Sequence, residues 1–158
     1  MRLQHFLPDY QTMIRPAQPE DRARIEEIVK AAYSPYLARM DRKPAPMTDD
    51  YAGRIAAGHT HVLEENGAVL AVLVLEPQRD SLLLDNIAVD PVQHGNGFGR
   101  LLMDFTEAEA RRRGYAAVEL YTNEVMVENI ALYLRLGYVE TQRVLDRGYH
   151  RVYLRKNL

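Results

Sequence analysis

Between Asn86 and Leu102 the chain reads NIAVDPVQHGNGFGRLL, with Gly95, Gly97 and Gly99 on alternate positions. An apolar run of β type precedes the glycines, and an apolar run of helical period follows them. Such a stretch dictates a strand, a tight turn and a helix in immediate succession. Glycine alone adopts positive φ freely, and a helix start leaves backbone N–H groups unpaired. The rest of the chain has to fold around that unit.

Three phosphate-binding readings of the turn compete. A P-loop needs Gly-Lys-Ser/Thr at the helix start, where this chain has Gly99-Arg100-Leu101. A dinucleotide fingerprint needs GxGxxG at the first turn of a parallel βα repeat, whereas here the spacing is GxGxG after a hairpin. In the third, the amides of a helix opening at Gly97 to Gly99 receive a phosphate that side chains would otherwise keep away. Set against all three, the glycines would merely permit a tight turn.

The flanking pattern sets the organisation. MIRPA (Met13 to Ala17) reads as a short strand, and Pro19 to Tyr33 as a helix with Ile25, Ile28, Val29 and Ala32 at helical spacing. SPYLARMDRKPAPM carries three prolines and no period, so it is loop with short helical turns, and a second helix runs from about Thr48 to Gly58. THVLEE and AVLAVLVLE flank Asn66-Gly67, the dipeptide of a two-residue hairpin turn. A strand over Leu82 to Val89 follows, then a helix from Gly97 or Phe98 to Arg113, with Arg111 to Arg113 in its last turn and Gly114 as cap. AAVELYT is a strand, Met126 to Leu136 a helix, and Val139 to Val144 and Tyr149 to Arg155 two strands joined at Asp146 to Gly148. The order β-α-α-β-β-β-α-β-α-β-β predicts an α/β (α+β) domain over residues 1–158: a mixed, mostly antiparallel twisted sheet of about seven strands flanked by about four helices.

Composition narrows the partners. A net charge of −2 provides no basic field for nucleic acid or an anionic membrane, so an anionic ligand must be held locally. With no cysteine, disulfides, thiolate metal sites and a cysteine nucleophile are excluded. The longest apolar run, Ala68 to Leu75, is far short of the ~20 residues that span a bilayer. MRLQHFLPDY lacks an apolar leader core, and the expected location is cytoplasmic. His59-x-His61 would share one strand face, but no third metal ligand accompanies the pair, so no metal is expected.

At this point the chain resembles the GNAT superfamily of N-acetyltransferases. That family's central motif is a strand ending apolar-Ala-Val-x-Pro, then [Arg/Gln]-x-x-Gly-x-Gly/Ala opening a long helix. The matching residues are Ile87-Ala88-Val89-Asp90-Pro91, then His94-Gly95-Asn96-Gly97-Phe98-Gly99 and Arg100-Leu101-Leu102, with His94 where the family has Arg or Gln. VENIALYLRLGY (Val127 to Tyr138) is similar to the second signature, although Asn129 lies four residues before Tyr133 rather than the more usual seven.

The resemblance implies acetyl-CoA, with its pantetheine arm beside Ile87, Ala88 and Val89 and its pyrophosphate on the amides from His94 to Arg100. Asn129 joins that set, and Tyr133 resembles the family's general acid. A backbone N–H near Val89 would polarise the carbonyl. The implied reaction is direct attack by a primary amine of a small molecule or peptide in a ternary complex. The alternatives are a catalytically weak acyl-CoA-binding regulatory module and, with less support, a nucleotide-dependent redox enzyme.

The chemistry calls for a base, because deprotonating an amine of pKa ~10.4 at pH 7 costs roughly 4.6 kcal/mol. Asp85, on the strand feeding the turn, and Glu119, on the next strand, are the two candidates; Glu119 resembles the base position of some subfamilies. A phenol of pKa near 10 protonating a thiolate of pKa ~8.5 is uphill by about 2 kcal/mol. Tyr133 is therefore expected mainly to hydrogen-bond the developing sulfur anion. Tyr33, Tyr36, Arg39, Asp50 and Tyr51, in or beside the proline-rich segment, are the expected acceptor-binding residues, and a homodimer through the C-terminal strands is the expected assembly.

Overall fold

The computed structural model describes residues 12–158; the reading of Met1 to Tyr10 lies outside them. Strand β1 (Thr12–Pro16) leads through a 3-10 turn, Pro19–Asp21, into α1 (Arg22–Tyr33). Two more 3-10 turns, Ser34–Arg39 and Ala45–Thr48, precede α2 (Tyr51–Ala56). There follow β2 (Thr60–Glu65), β3 (Ala68–Pro77), β4 (Ser81–Val89), α3 (Phe98–Arg112), β5 (Ala117–Asn123), α4 (Val127–Arg135), β6 (Val139–Asp146) and β7 (Tyr149–Asn157). The strands form one sheet in the order β1-β2-β3-β4-β5-β7-β6, in which only β4 and β5 are parallel. The predicted element order and mixed sheet are those observed.

Local chemistry explains the elements. Asn66 and Gly67 both take positive φ, 54° and 83°, as a type I′ hairpin turn requires. Helix α2 starts at Tyr51 rather than Thr48, because the Asp50 carboxylate accepts the Gly53 N–H at 3.1 Å and caps it there. His59 precedes β2, its carbonyl accepting the Leu75 N–H at 2.8 Å, and the His61 ring lies 5.2 Å from that of Phe105 in α3.

Helices cover both faces of the sheet. Leu73, Leu75, Leu82, Leu84 and Leu120 pack under α3 and α4 with Leu102, Met103 and Tyr138. On the other face Val62, Val72, Val74 and Ala88 pack against Ile25, Ile28 and Val29 of α1 and against Tyr51 and Ile55 of α2. Strand β3 therefore buries both its faces, which is why Ala68 to Leu75 is apolar without alternation.

Two irregularities in β4 prepare the site. Val74 pairs with Asn86 but Leu75 pairs with Leu84, so Asp85 is a bulge residue. The bulge shifts the alternation: Leu82 and Leu84 before it, and Ile87 and Val89 after it, all pack on the α3 side. Asp85 and Asn86 come to lie consecutively on the α1 side, where their partners are Arg54, Tyr33 and Tyr51. Beyond the bulge the two parallel strands part. Their ladder runs only from Ser81–Leu84 against Ala117–Leu120, and then β4 continues to Val89 and β5 to Asn123 across an open gap.

Candidate active site

The gap exposes backbone. The Asp90 N–H donates to the Leu70 carbonyl at 2.9 Å, which makes Val89–Ala71 a non-hydrogen-bonded pair of the antiparallel ladder. The N–H and C=O groups of Val89 and, two residues earlier, of Ile87 thus point away from β3 into the gap. The Glu124 N–H donates to the His150 carbonyl at 2.9 Å, so by the same argument Tyr121 and Asn123 turn their backbone groups toward β4.

On the α3 side a cleft of about 380 Å³ opens beside β4. Ile87, Val89, His94, Gly95, Gly97, Phe98, Gly99, Asn129 and Tyr133, all expected there, line it together with Gln93, Met103 and Leu132. Three expected residues do not. The Ala88 side chain lies in the opposite core, the Asn96 amide donates to Gln93 Oε1 at 2.9 Å, and the Arg100 guanidinium pairs with Asp104 one turn on at 3.2 Å. The anion-binding amides also need correcting. The His94 and Asn96 N–H groups donate to the Pro91 and Gln93 carbonyls, whereas those of Gly95, Gly97, Phe98, Gly99 and Arg100 have no backbone partner among the described residues.

These glycines separate a cradle from a mere tight turn. Gly95 and Gly97 take φ of 86° and 76°, so conformation alone would explain them. Gly99 lies inside α3 with no positive φ, and a Cβ built on it meets nothing within 4 Å. Neither backbone strain nor protein packing calls for glycine there. Space over unpaired amides at the positive end of a long helix is what a phosphate group needs.

Tyr133 projects from α4 into the same cleft. Burial pushes its phenol up to about 12, with a smaller contribution from Tyr36. Its hydroxyl has no hydrogen-bond partner among the described residues, and its ring is held edge-on by Tyr138 at 6.2 Å. The higher pKa widens the gap to a thiol, and so favours hydrogen-bond donation over early proton transfer.

The other side of the sheet carries a polar groove of about 420 Å³, joined to a small apolar recess at Asp85, Tyr121, Tyr149 and Arg151. Asp49, Glu76, Asp85 and Asp146 face Arg54, Arg147 and Arg151 across the groove, so acids outnumber cations and favour a positively charged amine. Arg54 alone pairs with Asp49, Glu76 and Asp85. Burial raises Asp85 above the ordinary carboxylate range, against the Tyr121 hydrogen bond and the charge of Arg54. The Tyr33 hydroxyl lines the recess, donates to Asn86 Oδ1 at 2.6 Å and lies 3.2 Å from the carbonyl of Ile87, a residue of the α3-side cleft. Tyr33 therefore sits where the two cavities approach each other through the gap.

Several expected site residues have other duties. Glu119 lies two positions nearer the start of β5, opposite Leu83, where it accepts from Ser81 Oγ at 2.8 Å and meets Arg155 at 3.6 Å; it lines neither cavity. Asp50 is the α2 cap. Tyr51 is 2% exposed, its hydroxyl accepting from Asn86 and donating to the Pro46 carbonyl. Arg39 is bound bidentately by Glu128, with Tyr36 under its guanidinium at 5.3 Å, so both brace the loop against α4. Of the expected acceptor residues, Tyr33 alone lines the recess.

The groove's main walls, Arg54, Tyr121, Tyr149, Arg151 and Tyr153, escaped the sequence reading. A signal was present: VELYTN places Tyr121 on the same strand face as Glu119, and YHRVY places Tyr149, Arg151 and Tyr153 together on one face. These strands also anchor the proline-rich segment. The Tyr149 hydroxyl donates to the Lys43 carbonyl at 2.7 Å, and Arg42 donates to the Arg147 carbonyl. The segment is a fastened cover rather than a solvated connector.

Comparison with known proteins agrees with this arrangement. The [ribosomal protein bS18]-alanine N-acetyltransferase of Escherichia coli K12 is 34% identical over 88 residues, 56% of this chain. The chain spans 58% of the length of that curated relative. The crystal structure of the E. coli ribosomal-protein-S18-alanine N-acetyltransferase superposes with a TM-score of 0.74 at 22% identity, covering 92% of this chain and 93% of that one. The PaiA N-acetyltransferase of Thermoplasma acidophilum, in complex with coenzyme A, superposes with a TM-score of 0.77 at 12% identity, covering 93% and 99%. Residues 22–138 match the Acetyltransferase (GNAT) family, and with most of its length in that match the chain belongs to this family.

Proposed function

We propose that this chain is an acetyl-CoA-dependent N-acetyltransferase whose acceptor is a primary amine of a peptide or small molecule. The observation that carries the reading is the unfilled space at Gly99, over unpaired amides and in one cleft with the partnerless Tyr133 hydroxyl. When bound, acetyl-CoA supplies the activated acetyl group.

The chain's own residues do the rest. The amides of Gly95 and of Gly97 through Arg100 hold the diphosphate. Micromolar affinity requires about 8 kcal/mol. Hydrogen bonds to a charged group contribute about 1.5–3 kcal/mol each, so several amides together with strand-like pairing along Ile87 and Val89 suffice. The Val89 N–H, turned into the gap, is placed to receive a carbonyl oxygen. Tyr133 donates its hydroxyl to the departing sulfur. Asp85 is the destination of the amine's proton. For a peptide N-terminus, with α-amino pKa near 7.7–8.0, loss of that proton costs only about 1 kcal/mol at pH 7. The bS18-alanine relative acts, by its name, on such an amine.

Thermal stabilisation by acetyl-CoA, CoA, NADPH and ATP, followed by thiol release with peptides, lysine and polyamines, tests the proposal. Stabilisation by acetyl-CoA and CoA with turnover of at least one amine is expected. Tyr133→Phe should then lower kcat about 100-fold, the effect of removing one such donor, with KM for acetyl-CoA unchanged. Coenzyme binding with no turnover across the panel would make the chain a binding module, and stabilisation by NADPH alone would make it a redox protein.

A further inference from the structure

Resting on the acetyltransferase reading, we propose that Tyr121, and not Asp85, is the group that touches the amine: it takes the ammonium proton while handing its own hydroxyl proton to Asp85. Nothing in the family match or the relatives assigns a role to this tyrosine.

The geometry separates the two residues. The Asp85 carboxylate is 9% exposed, and both its oxygens are occupied, Oδ1 by the Tyr121 hydroxyl at 2.7 Å and Oδ2 by Arg54 at 3.1 Å. The carboxylate's remaining lone pairs are largely closed off by that burial, so an amine meets the Tyr121 hydroxyl first. The Tyr121 oxygen, by contrast, donates its single proton and keeps lone pairs free to accept another. Its ring lines both the groove and the recess, on the strand that turns its backbone toward the gap. The ring is also immobilised, 5.5 Å from Tyr153 and 4.3 Å below the Arg151 guanidinium.

The step balances within this pair. One N–H bond of the ammonium breaks as an O–H bond forms on Tyr121. The original Tyr121 O–H breaks as Asp85 Oδ1 gains the proton. The amine is left neutral with its lone pair free, Tyr121 is unchanged, and Asp85 is a neutral acid. The positive charge of the amine and the negative charge of the carboxylate vanish together, which a half-buried site favours. Other groups bear on the pair from each neighbouring element. Arg54 of α2 and Arg151 of β7 are cations beside it. Asp49 and Glu76 surround Arg54, and the Tyr33 phenol of α1 is within electrostatic reach. The Arg151 cation stabilises any negative charge that passes through the phenol oxygen.

The experiment is the pH profile of kcat/KM, with one amine of known pKa, for the wild type, Tyr121→Phe, Asp85→Asn and the double variant. Each single variant should lose about 100-fold at pH 7, within the range of general base catalysis, and the double variant no more than either. The deficit should shrink as pH rises toward the amine's own pKa, with thermal stabilisation by acetyl-CoA intact. A Tyr121→Phe enzyme close to wild type beside an impaired Asp85→Asn would overturn the relay and return the contact to Asp85. Losses that multiply in the double variant, or a pH-independent loss, would overturn it too. A wild type that turns over no amine fails at an earlier stage, and takes the acetyltransferase reading with it.

Discussion

The two sides of the β4–β5 gap are built from different materials. On the α3 side the cleft offers backbone between largely apolar walls: unpaired amides at a helix start and two inward-facing peptide groups of β4, with one partnerless phenol. On the α1 side the groove is mostly side chains, with four acids, three arginines and packed tyrosines drawn from α2 and the segment before it, β3, β4, β5, β6, β7 and the β6–β7 turn. A backbone site needs only a local conformation, so one contiguous stretch encodes it. A side-chain site needs a tertiary arrangement, and its residues are scattered through the chain. The first suits an invariant charged group, and the second suits a partner that differs from one protein to another.

The sharpest way to break the contrast is to fill the backbone site. Gly99→Val should lower acetyl-CoA affinity by about 100-fold or more, since it denies the ligand two or so charge-assisted hydrogen bonds. Melting temperature should change little, because the Cβ of the added side chain enters open space. Binding retained at wild-type strength, measured by calorimetry, would show that the glycines serve the turn alone.

A smaller and opposite effect is expected from loosening the groove. Tyr149→Phe removes the hydrogen bond to the Lys43 carbonyl that fastens the proline-rich cover. KM for the amine should rise about three- to tenfold, one neutral hydrogen bond being worth about 0.5–1.5 kcal/mol, with acetyl-CoA affinity unchanged. Equal changes in both constants would mean that the two sides are not separable.

The smallest effect tests the core beneath both. His61 is 7% exposed, its Nδ1 has no partner among the described residues, and burial lowers its pKa. The Glu109 charge opposes that shift and the Arg113 charge adds to it. A folded pKa below the unfolded value of about 6.5 means that the unfolded chain binds the proton first. Its contribution to stability is therefore complete above pH 6.5 and declines as the pH falls through that value toward the folded pKa. Wild-type melting temperature should drop by about 2–4 °C between pH 7.5 and 5.5, and His61→Phe should flatten that part of the curve.

The same contrast explains what could be read in advance. Asn66-Gly67, the Ala68 to Leu75 run and the Gly114 cap each act through neighbours in sequence, so elements followed from them closely. The lining of the α3-side cleft was legible because its glycines, His94, Asn129 and Tyr133 fall within two short motifs. Asp85 lines the groove, but Glu119, Asp50, Tyr51 and Arg39 line neither it nor the cleft. A helix cap, core packing, a hydrogen bond from Ser81 and ion pairs with Arg155 or Glu128 engage those side chains, and apart from the cap these partners are remote in sequence. The bulge at Asp85 left no composition signal at all.

That bulge lets β4 carry an acid that an even strand would have no room for. Deleting Asp85 would join Leu84 to Asn86 and restore a regular pleat with every remaining side chain on its present face: Ile87 and Val89 toward α3, Asn86 and Ala88 toward α1. Both cores would survive the loss. Only the carboxylate between Arg54 and Tyr121 would vanish. The acid is thus a graft on the strand, removable by a shortening that leaves the rest of the sheet in order.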